Sequence, residues 1–233
     1  MSYHPSLGGF LERDPIGYAD GANLYQHEEG NPANRTDALG LKTWFGEQGC
    51  ENDCEGVVSA IVGNMPALKE GGRLANARDK SGFDWLALVA KAWKESKFDP
   101  NAANASSSAV GLFQILAPTA DDIQDRVWPH DIGGSMLEGK QRLRNVRTDP
   151  SLSAEAAYIY LLDRITSAGN NFEKGLDRFG TGPGYGKSVL AGVAAIRKTC
   201  GFPPGRPVSF DQMVECAKKH CQELKDAFEA AVR

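Results

Sequence analysis

The chain has 233 residues, of which 41% are hydrophobic and 24% charged, with a formal net charge of -4. This is ordinary for a globular chain of one or two domains and carries no basic footprint for nucleic acid. No run approaches the roughly 20 apolar residues of a membrane span, and the opening residues MSYHPSLGGFLERDP lack the apolar stretch of a secretory leader.

Residues 1–41 stand apart. They are rich in Gly, Asn, Asp and Pro, show little helical periodicity, and hold two basic against six acidic residues, so the remainder of the chain is charge-balanced. Phe10, Leu11, Leu24 and Tyr25 suit short strands between turns. The residues Tyr3-His4-Pro5, Gly9-Phe10-Leu11, Arg13-Asp14-Pro15-Ile16-Gly17, Asn23-Leu24-Tyr25, Asn31-Pro32 and Asp37-Ala38-Leu39-Gly40-Leu41 resemble the end of an Rhs/YD-repeat core. The resemblance implies a turn-rich remnant of a large β-shell that ends at Leu41, followed by a variable C-terminal toxin. It also implies self-cleavage aspartates, matched here by Asp14 and Asp37, while Ala38 stands where the family has Pro. Without the complete shell to bury and pair the two carboxylates, they are expected to serve as turn residues beside Pro15 and Gly40. The boundary is placed at Leu41–Lys42, giving domains 1–41 and 42–233.

Residues 42–82 hold Cys50, Cys54 and the apolar run Val57 to Val62, which predicts a helix near 53–63, and a break at Gly71-Gly72. The next helix is more strongly marked. Trp85, Leu86, Leu88, Val89, Ala92 and Trp93 share one arc at a 3.6-residue period, and Lys91 and Lys94 are placed on the opposite side. Glu95 lies seven residues after Leu88, at the edge of the apolar arc. A carboxyl half-buried beside aromatic and aliphatic groups holds its proton more readily, as a general acid must. Phe98-Asp99-Pro100 stops the helix, which leaves the carboxyl at a helix end where a cleft can form.

A polar loop, Asn101 to Ser108, leads into Gly111-Leu112-Phe113-Gln114-Ile115 and then Pro118-Thr119-Ala120. Together with Glu95-Ser96-Lys97-Phe98-Asp99-Pro100, these motifs resemble the lytic transglycosylases and goose-type lysozymes of the lysozyme-like superfamily. By that resemblance Glu95 is the catalytic acid and Gln114 lines the sugar groove. The family's loop serine aligns with Ala105, and Ser106 beside it is the candidate replacement. Pro118 is expected to open a helix with Asp121 and Asp122 in its first turn, complementing the helix dipole.

Asp149-Pro150 predicts an N-cap and first-turn Pro for a buried helix running to about Ser167. The stretch Arg178-Phe179-Gly180-Thr181-Gly182-Pro183-Gly184-Tyr185 then resembles the third transglycosylase motif. In that family a Tyr hydrogen-bonds the catalytic carboxyl; here Phe179 takes its place, and Gly180 replaces the family Asn. Phe179 is assigned to the substrate groove. Tyr185 either supplies the missing hydroxyl or is a surface loop residue, the two readings being equally open. A helix from Lys187 ends at Cys200-Gly201. A final helix starts at Ser209, with Gln212 completing a capping box and Met213, Ala217, Cys221, Leu224 and Phe228 as its apolar stripe.

The five cysteines are Cys50, Cys54, Cys200, Cys216 and Cys221. Their Cys-x3-Cys and Cys-x4-Cys spacings are compatible with zinc, but no His pattern accompanies them. With Cys216 and Cys221 on one helix and pointing apart, a disulfide from Cys50 or Cys54 to Cys216 or Cys221 is expected, as suits an oxidising compartment. Buried thiols are the alternative. No metal and no cofactor are expected.

The reading is an all-α, lysozyme-like domain at the tip of an Rhs-type antibacterial effector. The resemblance implies a muramidase of the lytic transglycosylase kind, cleaving the β-1,4 bond of peptidoglycan with one carboxyl as acid and then base. A lysozyme- or chitinase-type hydrolase, or a catalytically impaired wall-binding module, is the alternative. The expected partners are peptidoglycan glycan strands and a cognate immunity protein, with no nucleic acid and no membrane insertion. The chain is expected to be made in the cytoplasm without a signal peptide, exported, and active in the periplasm or wall of a target bacterium.

Overall fold

The computed structural model describes residues 54–63, 69–123, 125, 147, 149–180 and 182–231, together with the paired segments 3–4, 9–10 and 132–133. The chain divides into two units, Met1–Glu51 and Asn52–Arg233. In the first unit β1 (Tyr3–His4) pairs antiparallel with β2 (Gly9–Phe10), Tyr3 opposite Phe10. Asp14, Asp37 and Cys50 lie outside the described residues.

The second unit is a helical body. Its first helix, α1 (Cys54–Val62), is the apolar run foreseen near 53–63 and buries Cys54, Val57, Val58, Ala60, Ile61 and Val62. The short β3 (Lys69–Glu70) pairs antiparallel with β4 (Ile132–Gly133). The Gly71-Gly72 pair opens α2 (Gly72–Ser81), with Gly71 as its N-cap, and the helix ends on left-handed Gly82. Helix α3 (Leu86–Ser96) buries nine of its eleven residues. Helix α4 (Ala117–Asp122) has Pro118 in its first turn, as expected, but is only six residues long. Asp121 and Asp122 therefore close it rather than open it, and the expected dipole role does not apply.

Helix α5 (Pro150–Ser167) follows its sequence signals closely: Asp149 Oδ1 accepts from the Leu152 amide at 2.7 Å, and twelve residues of the helix are buried. Helix α6 (Phe172–Phe179), unforeseen from the sequence, starts from Asn171, whose side chain accepts from the Lys174 amide. Helix α7 (Tyr185–Cys200) ends at left-handed Gly201. The single C-terminal helix expected from Ser209 onward is in fact two. The capping box of Ser209 and Gln212 opens α8 (Phe210–Lys219), and the chain breaks at His220 before α9 (Cys221–Ala231). Cys216 and Cys221 thus sit on different helices.

Helix α3 is the hub: it packs on α7 and is also touched by α1, α5 and α9. The α3–α7 approach depends on Gly192, where an added Cβ would lie 2.9 Å from Ala90 Cβ. Trp93 stacks on Phe228 of α9 at 5.6 Å between centroids, and Phe98 meets both rings edge-on. Each such pair contributes about 0.5–1.5 kcal/mol beyond area burial. On the other flank α5 carries α1, α2 and α6.

Two disulfides tie the periphery to this core. Cys54–Cys221, one of the expected pairings, joins α1 to α9, and Cys200–Cys216, which was not expected, joins α7 to α8. Four thiols are thereby consumed, which removes the zinc reading for Cys54, Cys200, Cys216 and Cys221. Among the described residues, no helix is long and apolar enough to cross a membrane.

Candidate active site

Glu95 is the penultimate residue of α3, and its side chain is 22% exposed. The helix stops immediately after it because Lys97 and Phe98 both take positive φ, 58° and 66°. The Lys97 amide closes the last turn on Trp93 O. Phe98 is fully buried, and that burial secures the turn. Ser96 ties this helix end to the second motif: its hydroxyl is 3.0 Å from Ala92 O and 2.9 Å from Leu112 O.

The carboxyl of Glu95 is held by two groups on the same oxygen. Lys91 Nζ donates to Oε1 at 2.8 Å, and the Tyr185 hydroxyl donates to Oε1 as well. Lys91 Nζ also donates to the Tyr185 oxygen at 2.8 Å, which closes a triangle. Its third contact is the face of Phe179, with Nζ 4.0 Å from the ring centroid. The expectation that Lys91 lies on the solvent side of its helix is corrected: the residue is 1% exposed. It stands one helical turn before Glu95, so it shares the face of Glu95 rather than opposing it. Burial drives the Lys91 ammonium below the ordinary lysine value, and the adjoining Glu95 opposes that fall. Burial, then the Glu95 carboxylate, push the Tyr185 phenol well above its ordinary value, so it stays a donor.

Tyr185 reaches Glu95 through the Gly-Pro-Gly turn. Gly184, at φ 91°, starts α7, and Tyr185 is its first residue, 6% exposed. The surface-loop reading of Tyr185 is therefore set aside. Phe179, last residue of α6, is half-buried between Lys91 and the edge of Tyr160. Lys94, the neighbouring cation, is engaged by Ser188 Oγ at 3.0 Å.

The other two candidates make their hydrogen bonds inside the 101–116 loop. Gln114, at φ 49°, donates its side-chain amide to Ala102 O and Gly111 O, both at 3.0 Å. Ser106 is exposed and donates to Asn104 Oδ1, whose oxygen also accepts the Ser106 amide. Lys91 and Ser96 are the site residues that sequence reasoning missed. The i, i+4 spacing to Glu95 was the signal for Lys91; nothing local marked the span from Ser96 to Leu112.

A cleft of about 750 Å³ opens at the other end of α3, where Phe83, Trp85, Tyr158 and Phe210 line it. Four of its charged groups form two pairs, Arg78 with Glu70 at 2.7 Å and Arg197 with Asp84 at 2.6 Å.

A helical body with one acid at the end of its most buried helix is the build of the lysozyme-like enzymes. Within that class the chain belongs to the Transglycosylase SLT domain family, whose profile matches residues 74–191. The family comprises lytic transglycosylases, which cleave the glycan strand of peptidoglycan, and this is the protein's class of activity. No solved structure gives a significant match to the chain. The matched segment contains Glu95, Gln114, Phe179 and Tyr185, but not α1, α8, α9 or any cysteine of the two disulfides.

Proposed function

We propose that Glu95 alone runs this cleavage, as acid in the first half of the reaction and as base in the second. Glu95 gives its proton to the glycosidic oxygen while the bond from muramic C1 to that oxygen breaks. The muramic C6 hydroxyl then forms a bond to C1 and returns its proton to Glu95. The atoms balance without water, and the product carries a 1,6-anhydromuramic end.

The observation that carries the reading is the convergence of Lys91 and Tyr185 on one oxygen of a carboxyl at the end of α3. The hydroxyl contact also speaks against an impaired wall-binding module, because Tyr185 fills the role that Phe179 leaves vacant. An inverting hydrolase needs a second carboxylate about 6.5–9.5 Å from the acid. Of the carboxylates nearest in sequence, Asp99 Oδ1 takes the Asn101 amide at 2.8 Å and Asp121 and Asp122 close α4; Asp177, near Tyr185 in sequence, takes the Gly186 amide at 2.7 Å. Gln114 shapes the loop beside the acid, with Ser106 and Phe179 assigned to the groove for the sugar. Glu95→Gln should fold and lose wall cleavage. Mass spectrometry of the parent's digest should find anhydro ends; reducing muramic ends with one extra water would establish hydrolysis instead.

We also read residues 42–233 as the toxic tip of an Rhs-type effector, with residues 1–41 as the end of its core. The run of Rhs-like motifs up to Leu41 supports this, and the two disulfides suit a compartment outside the reducing cytosol. A producing cell would then need an immunity protein against its own tip. Deleting residues 1–41 should leave cleavage intact. Directing residues 42–233 to the periplasm should kill, and Glu95→Gln should remove the effect; equal harm from that variant would count against a wall-cleaving toxin.

A further inference from the structure

We infer that Lys91 is a positioning residue for the cleavage, and that the site uses its charge rather than its bulk. The inference rests on the reading of Glu95 as the reacting acid.

Folding does not account for a lysine here. Its side chain is 1% exposed, on the helix with the most buried surroundings in the body. Taking an ammonium out of water is costly, and a single ion pair with a carboxylate that is itself 22% exposed is weak evidence of a stabilising role. A methionine would fill the same space without that penalty.

Each group around Nζ has a use if the charge serves Glu95. Oε1 receives the ammonium directly at 2.8 Å. The Tyr185 oxygen accepts from Lys91 and donates to Oε1, so three atoms fix one orientation of the carboxyl. The Phe179 ring offers its negative face at 4.0 Å, where a cation gains from an aromatic quadrupole. The second cation nearby, Lys94, donates to Ser188 and lies over the Tyr185 ring, 5.3 Å from its centroid, rather than on Glu95. Phe at 179 is thus matched to Lys at 91: one supplies the face, the other the charge.

The chemistry states what the charge does. Between the two halves of the reaction Glu95 has lost its proton and faces a sugar carbon with positive character. An ammonium already in place stabilises that carboxylate without reorganisation at the moment it forms. When the C6 hydroxyl returns a proton, the carboxyl is neutral again and the cycle closes.

The test is Lys91→Met on the full chain, with kcat and KM read from the release of soluble fragments from purified glycan strands. The expected result is a folded protein with kcat lower by on the order of a hundred-fold and KM nearly unchanged. Lys91→Gln keeps a donor without the charge and should lose as much; it supplies the readout if Lys91→Met folds poorly. Glu95→Gln is run alongside. A dead Glu95→Gln variant, beside a Lys91→Met or Lys91→Gln variant that turns over like the parent, overturns this inference alone. An active Glu95→Gln overturns the reading beneath it.

Discussion

The ring of Tyr185 lies against Gly180 so closely that a Cβ at position 180 would stand 2.2 Å from Tyr185 Cγ. Only a residue without a side chain lets the ring through to Glu95. Positions 179, 180 and 185 are therefore coupled in this structure: Tyr185, the first residue of α7, brings its hydroxyl to Glu95, Gly180 makes room for its ring, and Phe179 at the end of α6 faces Lys91.

Gly180→Ala should displace the ring and separate its hydroxyl from Glu95. Overpacking of this kind costs about 1–3 kcal/mol. Activity should fall by more than the lost stability accounts for, because the displaced group sits on the acid. Thermal melts and initial rates on purified peptidoglycan check this; an alanine variant with parental rates would show that the ring needs no such room.

Tyr185→Phe removes one hydrogen bond to Oε1 and leaves Lys91 in place. We expect a folded protein with kcat reduced by about ten-fold or more, as for loss of a group that orients a general acid. Phe179→Tyr should not compensate in that background, since the 179 ring is occupied by Lys91 and Tyr160. Recovery of the rate in the double variant would place the hydroxyl's natural seat back at position 179.

The disulfides should matter unequally. The chain-entropy relation gives about 5 kcal/mol for the 167-residue separation of Cys54–Cys221 and about 3 kcal/mol for the 16-residue separation of Cys200–Cys216. Cys54→Ser should lower the thermal midpoint more than Cys200→Ser. Thiol titration of the unreduced protein should find no more than one reactive group; a higher count would contradict the pairing.

Alkaline pH should stabilise the fold before it harms it. Lys91 is lowered from 10.5 in the folded state, so between its lowered value and 10.5 the unfolded chain binds more protons. Stability therefore rises with pH across that window. Tyr185 works in the opposite sense: raised from 10.0, it makes stability fall above that pH as the unfolded chain gives up its phenolic proton first. Denaturant unfolding followed as pH rises toward 10.0, before the tyrosines ionise, should show a rise in the parent and a flatter profile in Lys91→Met. Parallel profiles would mean that Lys91 titrates alike in the two states.

What was legible in the sequence was local chemistry. Asp149 with Pro150, and Ser209 with Gln212, announce helix starts because cap and helix lie within three residues of each other. Glu95 stood out through its place on the apolar arc and its two flanking motifs. What stayed hidden was set by partners far along the chain. Lys91 looks solvated until α7 brings Tyr185, 94 residues later, over it. Helix α6 is the exception: Phe172, Leu176 and Phe179 at i, i+4 and i+7 behind the Asn171 cap were there to read, and only its short length and interior Gly175 masked the pattern. The break at His220 is invisible because the stripe of Met213 and Ala217 resumes in Leu224 and Phe228 as though the helix continued.

The Cys54–Cys221 bond also changes what kind of object this protein is. With it in place, the backbone from 54 to 221 is a closed ring, and Glu95 and Tyr185 both lie on that ring. A protease that cuts one loop between them opens the ring into a line but sheds no fragment. The acid and its tyrosine remain parts of one covalent molecule, joined the long way round through sulfur. A first nick there leaves the molecule whole, and two cuts are needed to carry Glu95 away from Tyr185.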